Sequence, residues 1–147
     1  MFQRMLVPID GSEQANRAVD AAVQLAGKFD GNILILCVYR HHSPLEASLS
    51  MVRGPDKLDT PDEALKAYAR DLVKNAKERA RAAGAATVDA YAKRGHPART
   101  IVAFAEEHEA DSIVMGTRGL GDFGGLLMGS VSHKVTSMAK VTVVLVK

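Results

Sequence analysis

The sequence predicts an α/β fold: a single doubly wound parallel sheet of five strands with helices on both faces. Three observations point to it. Short apolar runs alternate with longer segments whose apolar residues recur at helical spacing, giving β-α-β-α-β-α-β-α-β, the pattern of a parallel sheet covered by its own crossovers. The run Ile33-Leu34-Ile35-Leu36-Cys37-Val38 is apolar without alternation, as suits a strand covered on both faces. At 147 residues, without an internal repeat or low-complexity tract, the chain has the length of one domain, residues 1–147.

Each element has its own signals. Met5-Leu6-Val7-Pro8-Ile9 is the first strand and closes at Asp10-Gly11-Ser12; Pro8 lacks an amide donor and belongs near a strand end. Ser12 caps a helix whose positions Ala15, Ala18, Val19, Ala22, Leu25, Ala26 and Phe29 share one face. Asp30-Gly31-Asn32 turns into the second strand, 33–38. Residues 39–59, with two His, two Pro and a Gly, form the longest connection, of a length that is usually functional or mobile. Thr60-Pro61-Asp62-Glu63 opens the second helix with a Thr cap, a first-turn Pro and a Glu three residues after the cap. Leu65, Tyr68, Ala69, Leu72, Val73, Ala76, Ala80 and Ala83 form its expected buried stripe, and Gly84 stops it. Residues 86–92 alternate and suit an outer strand. Pro97 begins a third helix carrying Ile101, Phe104, Ala105 and His108; residues 111–116 are the fourth strand. A last helix holds Val131, Val135 and Met138, and Val141-Thr142-Val143-Val144-Leu145-Val146 closes the sheet.

Composition narrows the function. The net charge is +2, with Lys and Arg scattered among Asp and Glu; three Tyr, four Phe and no Trp give no basic-aromatic surface for nucleic acid. No apolar run approaches the roughly 20 residues that span a bilayer, and Met1-Phe2-Gln3-Arg4 leads straight into a strand, unlike a signal peptide. The expectation is a cytoplasmic protein without direct membrane insertion. The one cysteine, Cys37, reads as a core thiol and excludes an intrachain disulfide.

Chemistry concentrates between Ile113 and Val131. A buried strand runs into Gly116-Thr117-Arg118-Gly119, and Met128-Gly129-Ser130-Val131 opens a helix. Amides at a helix N-terminus lack intrahelical acceptors and carry positive potential, and Gly116, Gly119 and Gly129 let main chain approach an anion without a Cβ between. The stretch reads as a phosphate cradle, or as a plain glycine-rich connection. If strand 1 lies at the centre, with strands 2 and 3 on one side and 4 and 5 on the other (the order 3-2-1-4-5), the order reverses between strands 1 and 4, and ligands bind beyond the carboxyl ends of strands at such a reversal. Asp10 and Gly116 mark those two ends, so the lone acid at the tip of strand 1 faces the cradle. Gly119-Leu120-Gly121-Asp122-Phe123-Gly124 spells G-x-G-x-x-G, but no acidic residue follows Asp122 and one strand remains, which excludes a dinucleotide fingerprint. The P-loop pattern is absent, since neither Gly124 nor Gly129 is followed by Lys.

Gly116-x-x-Gly119, nine residues, then Gly129-Ser130, with the opening Val7-Pro8-Ile9-Asp10-Gly11-Ser12, the Gly95-His96-Pro97-Ala98 turn and the closing apolar strand, resembles the ATP-binding branch of the universal stress protein family over essentially the whole chain. The resemblance implies an adenine nucleotide alpha hydrolase-like fold and ATP, or AMP or ADP, in the crevice. It implies that Pro8, Asp10 and the backbone of Val38 surround the adenosine end, with Asp10 also near a Mg²⁺ ion. Met115, Gly116, Arg118 and Gly119 are implied to follow ribose and phosphates, and Gly129, Ser130, Val131 and Ser132 to hold phosphates by backbone N–H and hydroxyl groups. Many members carry Cys-Pro before the last strand where this chain has Lys140-Val141-Thr142, a departure at the sheet edge. The stretch 36–68, especially His41 to Arg53, resembles the subgroup that accompanies a TRAP-type transporter for compatible solutes.

Plainer readings stand beside these. Asp10 could cap the first helix, Arg118 could be a solvated arginine, Met115 could be core that also touches the ligand, and Ser130 could serve as a helix cap. The adjacent His41 and His42 rarely reach one ion, and His96, His108 and His133 share no ligand spacing. The final strand lies at the sheet edge yet is almost wholly apolar, so pairing of residues 141–147 with a second copy is expected to make a homodimer. With no Ser-His-Asp arrangement and no base beside the cradle, the expectation is a nucleotide-dependent regulator of stress response or transport. The alternative is a slow Mg-dependent ATPase, although phosphoryl chemistry usually adds a Lys or a second carboxylate.

Overall fold

The computed structural model describes residues 1–40, 61–120 and 128–147. The elements are β1 (Arg4–Ile9), α1 (Glu13–Phe29), β2 (Asn32–Tyr39), α2 (Pro61–Ala82), β3 (Val88–Arg94), α3 (Pro97–Glu107), β4 (Ser112–Gly116), α4 (Ser130–Met138) and β5 (Thr142–Val146). They build one five-stranded sheet in the order β3-β2-β1-β4-β5, every neighbouring pair parallel, as the alternation predicts. Leu6 of β1 sits beside Leu34 of β2 and Ile113 of β4, so three large aliphatic residues line up across the centre.

The pleat divides the apolar residues between two cores. Met5, Val7, Ile33, Ile35 and Val114 face α1 and α2, where alanines and valines such as Ala18, Val19, Val73 and Ala76 allow close helix-to-sheet approach. Leu6, Leu34, Leu36, Ile113 and Met115 face α3 and α4, packing on Ile101, Phe104 and Val135. A one-residue slip would exchange the two sets, and each fully buried Leu or Ile contributes roughly 1.5–3 kcal/mol, so the register is strongly held. His108 stacks on Phe104 at 3.7 Å between ring centroids, with Tyr91 edge-on to both, which fastens α3 to β3.

Several boundaries and faces differ from expectation. The third strand runs from 88 to 94 rather than 86 to 92, because Val88 and its successors are the residues in register with Ile33–Tyr39. Tyr68 and Ala83, expected on the buried stripe of α2, are exposed, as are Phe29 and Met138; Phe29 sits in the last turn of α1 and Ala83 beyond the end of α2. Phe29 instead packs at a tilt against Phe2. Val23 takes a core place in α1 that the stripe did not assign. His108 follows the end of α3 rather than lying within it. The expected Thr60 cap, the 41–59 part of the long connection with the His41–Arg53 likeness, and residues 121–124 of the G-x-G-x-x-G stretch lie outside the described residues.

At the amino ends of β1 and β4, Asp111 accepts the amides of Phe2 (3.0 Å), Gln3 (2.7 Å) and Arg4 (3.2 Å) and the Ser112 hydroxyl (2.8 Å). Partial burial alone would raise its pKa, but the bonds from Ser112, Gln3 and Arg4 outweigh it and hold the carboxyl below the usual value.

Candidate functional site

Where the strand order reverses, the carboxyl ends of β1, β2 and β4 and the start of α4 enclose a cavity of about 400 Å³. A pocket there is what a doubly wound sheet provides: the crossovers of β1 and β4 leave in opposite directions and part at this point.

β1 delivers Pro8 and Asp10 to the cavity, β2 delivers Val38, and β4 with its following loop delivers Met115, Gly116, Arg118 and Gly119. Ser130, Val131 and Ser132 line it from the first turn of α4. Of the predicted site residues only Gly129 is set back, as the N-cap of α4. The structure also brings in residues without a sequence signal, among them Ile9, Leu36, Ile101 and Arg40. Ile9, Leu36, Ile101 and Pro97 make the wall apolar toward β2 and α3, while charge collects at the mouth with Asp10, Arg40 and Arg118. An apolar slot beside a polar rim suits a flat ring joined to an anionic group.

Asp10 fixes the entrance. Its Oδ1 accepts the Ser12 amide at 2.9 Å, and its Oδ2 accepts the Leu120 amide at 3.1 Å, tying the β1 turn to the loop after β4. The cap of α1 is Ser12, which accepts the Ala15 amide, so Asp10 makes the turn and Ser12 caps the helix. A Cβ on Gly119 would collide with the Asp10 carboxylate, so glycine is needed for this close approach. Gly11 at φ 87° turns the chain away from β1. Each Asp10 oxygen keeps a further lone pair, and Mg²⁺ commonly binds through one carboxylate plus the phosphates of its nucleotide, so Asp10 fits the ion expected of it. Among the described residues no group of three His, Cys, Asp or Glu side chains could enclose a metal without such phosphates.

The cradle is built differently from the simple picture of glycines admitting phosphate. Gly116 is buried and packs on α1: a Cβ there would stand 2.9 Å from Gln14 Cβ, so its glycine is required by helix packing. The Gly129 amide donates to the Thr117 carbonyl at 2.6 Å and is engaged within the protein. The Ser132 hydroxyl is buried and donates to the Thr117 (2.7 Å) and Gly129 (3.0 Å) carbonyls. Those two groups, implied by the resemblance to hold phosphate, here hold the loop to the helix. The first intrahelical bond of α4 runs from the His133 amide to the Gly129 carbonyl, so the amides of Ser130, Val131 and Ser132 precede it and have no intrahelical acceptor. Those are the amides the helix offers to the crevice.

Thr117, which carried no signal of its own, is the hub. Its amide donates to Val146 O, its hydroxyl to Gln14 Oε1 (3.1 Å), and its carbonyl accepts twice from the α4 turn. Gln14 also accepts the Arg118 amide at 2.7 Å. Among the described residues Arg118 Nε, which is buried, has no hydrogen-bond partner; Arg4 Nε at the opposite end of the sheet has none either, so this alone does not mark a ligand contact. Cys37 is buried in β2, and desolvation, with the Asp10 charge adding to it, pushes its thiol up to about 11. It is a core thiol, not a nucleophile.

The sheet order and this crevice define a doubly wound α/β protein with a cavity at the topological switch point, where such folds bind ligands. The chain belongs to the universal stress protein family, whose model matches residues 1–147. It is 36% identical over 149 residues to the universal stress protein YxiE of Bacillus subtilis, covering the whole of both chains. Universal stress protein UspA from Lactobacillus plantarum superposes with a TM-score of 0.83 at 26% identity, covering 99% of this chain and 98% of that one. A universal stress protein solved in complex with cAMP superposes with a TM-score of 0.72 at 29% identity, covering 97% of this chain and 94% of that one.

Proposed function

We propose that the crevice binds an adenine nucleotide, ATP or its AMP and ADP relatives, and that occupancy regulates a cytoplasmic homodimer. The observation that carries this is the joining, in one cavity, of an apolar slot from β2 and α3 with a rim formed by Asp10, Arg118 and the first-turn amides of α4. The slot suits a purine ring, and the uncapped helix start suits phosphate. The cAMP complex of a relative at 29% identity supports the choice of adenine. Mg²⁺ carried on the phosphates neutralises their charge and takes Asp10 as its protein ligand. Ser130, Val131 and Ser132 bind the phosphates through their amides, while Pro8, Val38 and Met115 keep water from the ring.

Among the described residues β5 pairs with β4 alone, with every residue from Thr142 to Val146 partly exposed, which supports pairing of its outer edge with a second copy. Regulation of a TRAP-type compatible-solute transporter extends this reading through residues 39–59. Its expected result is capture of a transporter subunit from membranes by the full chain but not by one lacking residues 43–57.

Calorimetric titration with ATP, AMP and GTP tests the central reading. Saturable binding of ATP and AMP, with GTP weaker, is expected; no adenine nucleotide bound at millimolar concentration overturns it. Light scattering is expected to return twice the chain mass, and a monomer at all concentrations overturns the dimer.

A further inference from the structure

Beside the crevice opens a second cavity, of about 500 Å³, which shares Arg40, Pro97, Ser130 and Val131 with it. Arg99, Lys134 and His96 complete its polar wall, and among the described residues no acidic side chain lines it. Among the described residues Arg40, Arg99 and Lys134 have no carboxylate partner. Six other cations do have one: Arg17 lies against Glu13, Lys77 against Asp89, Arg79 against Asp20, Lys93 against Glu107, Arg94 against Asp62 and Lys140 against Glu106. Others, such as Lys28, Lys66, Lys74 and Arg81, have none among the described residues, so what sets Arg40, Arg99 and Lys134 apart is that they border one cavity. Three unmatched cations around one concavity raise the local positive potential, and an entering anion relieves it.

The helices beside the cavity carry the same bias. α1 and α2 begin with acids, Glu13 in one and Asp62 and Glu63 in the other, as the helix dipole favours. α3 and α4, which meet at this cavity, have no acid in their first turns and no side-chain cap bond. Arg99 even occupies the first turn of α3, where a cation is unfavourable in the absence of a bound anion.

We propose that this second cavity is a phosphate subsite, filled by a free phosphoanion or by the outer phosphates of the nucleotide in the neighbouring crevice. The second source rests on the nucleotide reading; the first does not. Arg99 and Lys134 grip the anion at the far wall, and Arg40, which borders both cavities, links them.

The test uses inorganic pyrophosphate as probe, read by calorimetry and by amide chemical shifts at Ala98, Arg99 and Lys134. Arg99 and Lys134 are exposed, so a double Arg99→Gln, Lys134→Gln variant is expected to fold normally. Pyrophosphate affinity should fall about tenfold or more in that variant, the loss expected for two charge-assisted contacts, while AMP affinity stays within about twofold. If ATP displaces pyrophosphate and AMP does not, the nucleotide's own phosphates are the source. If both ATP and AMP bind together with pyrophosphate, the source is a free anion. Pyrophosphate that binds when AMP does not leaves the subsite standing and removes the nucleotide reading. Pyrophosphate that fails to bind the wild type, or that binds the double variant equally well, overturns the subsite.

Discussion

The two ends of the sheet use a carboxylate in opposite ways. At the amino end Asp111 accepts three backbone amides and one hydroxyl, and draws the first residues of the chain onto β4. At the carboxyl end Asp10 accepts the Ser12 and Leu120 amides and turns toward a cavity ringed by Arg40, Arg118 and the α4 amides. One end closes the fold by satisfying its own polar groups. At the other, Thr117 and Gln14 tie the loop after β4 to α1 and α4, and the first-turn amides of α4 keep no intrahelical acceptor. Stability and binding should therefore separate by location.

The sharpest way to break that contrast is Gly119→Val. Its side chain would push into the Asp10 carboxylate, and nucleotide affinity should fall roughly a hundredfold, the cost of an ångström-scale misplacement. The thermal midpoint should barely move, because the loop lies outside both cores. Equal loss of stability and binding in calorimetry would erase the distinction. Asp111→Ala is the mirror case: the released amides should cost about 2–3 kcal/mol in urea unfolding, with nucleotide affinity unchanged.

Acid sharpens the comparison further. The folded Asp111 carboxyl titrates below its ordinary 3.8, so between those values the unfolded chain binds more protons than the folded one. Its contribution is complete above the ordinary value and disappears as pH falls through the depressed one. Unfolding measured from pH 5 to pH 2 should show this loss in the wild type and less of it in Asp111→Asn. Asp10→Asn should weaken Mg-ATP by about tenfold while leaving Mg-free AMP nearly unaffected, since a single charged ligand is removed. A parallel loss for both would assign Asp10 to the turn alone.

The smallest effect is at Cys37. Its thiol stays protonated up to about 11 in the fold against 9.0 ordinarily, so iodoacetamide at pH 9 should label native protein far more slowly than urea-unfolded chain. The Asp10→Asn change should speed native labelling slightly, because Asp10 adds to the upward push.

Much of this was legible in the order of residues. The unbroken apolar run of β2 and the alternation of apolar runs with helical stripes led to a parallel sheet covered on both faces, because a two-residue or 3.6-residue period is a local property of the chain; the strand order had to be supposed, and with it the crevice between β1 and β4. Asp10 could be placed opposite the loop for the same reason: it is the acid at a strand tip. The likeness to the universal stress protein family then supplied the nucleotide, which periodicity could not.

The tertiary structure alone decided the division of labour among the glycines and hydroxyls. Gly116 looks like an anion-admitting glycine until Gln14, from the start of α1, is found against it. Thr117 looks like filler between two glycines until its carbonyl is seen to seat the Gly129 amide and the Ser132 hydroxyl. Arg40, Arg99 and Lys134 are ordinary scattered cations until the end of β2 and the starts of α3 and α4 meet around one cavity. Local pattern fixes which face of an element is apolar; which polar atoms find partners depends on groups a hundred residues apart in the chain and ångströms apart in space.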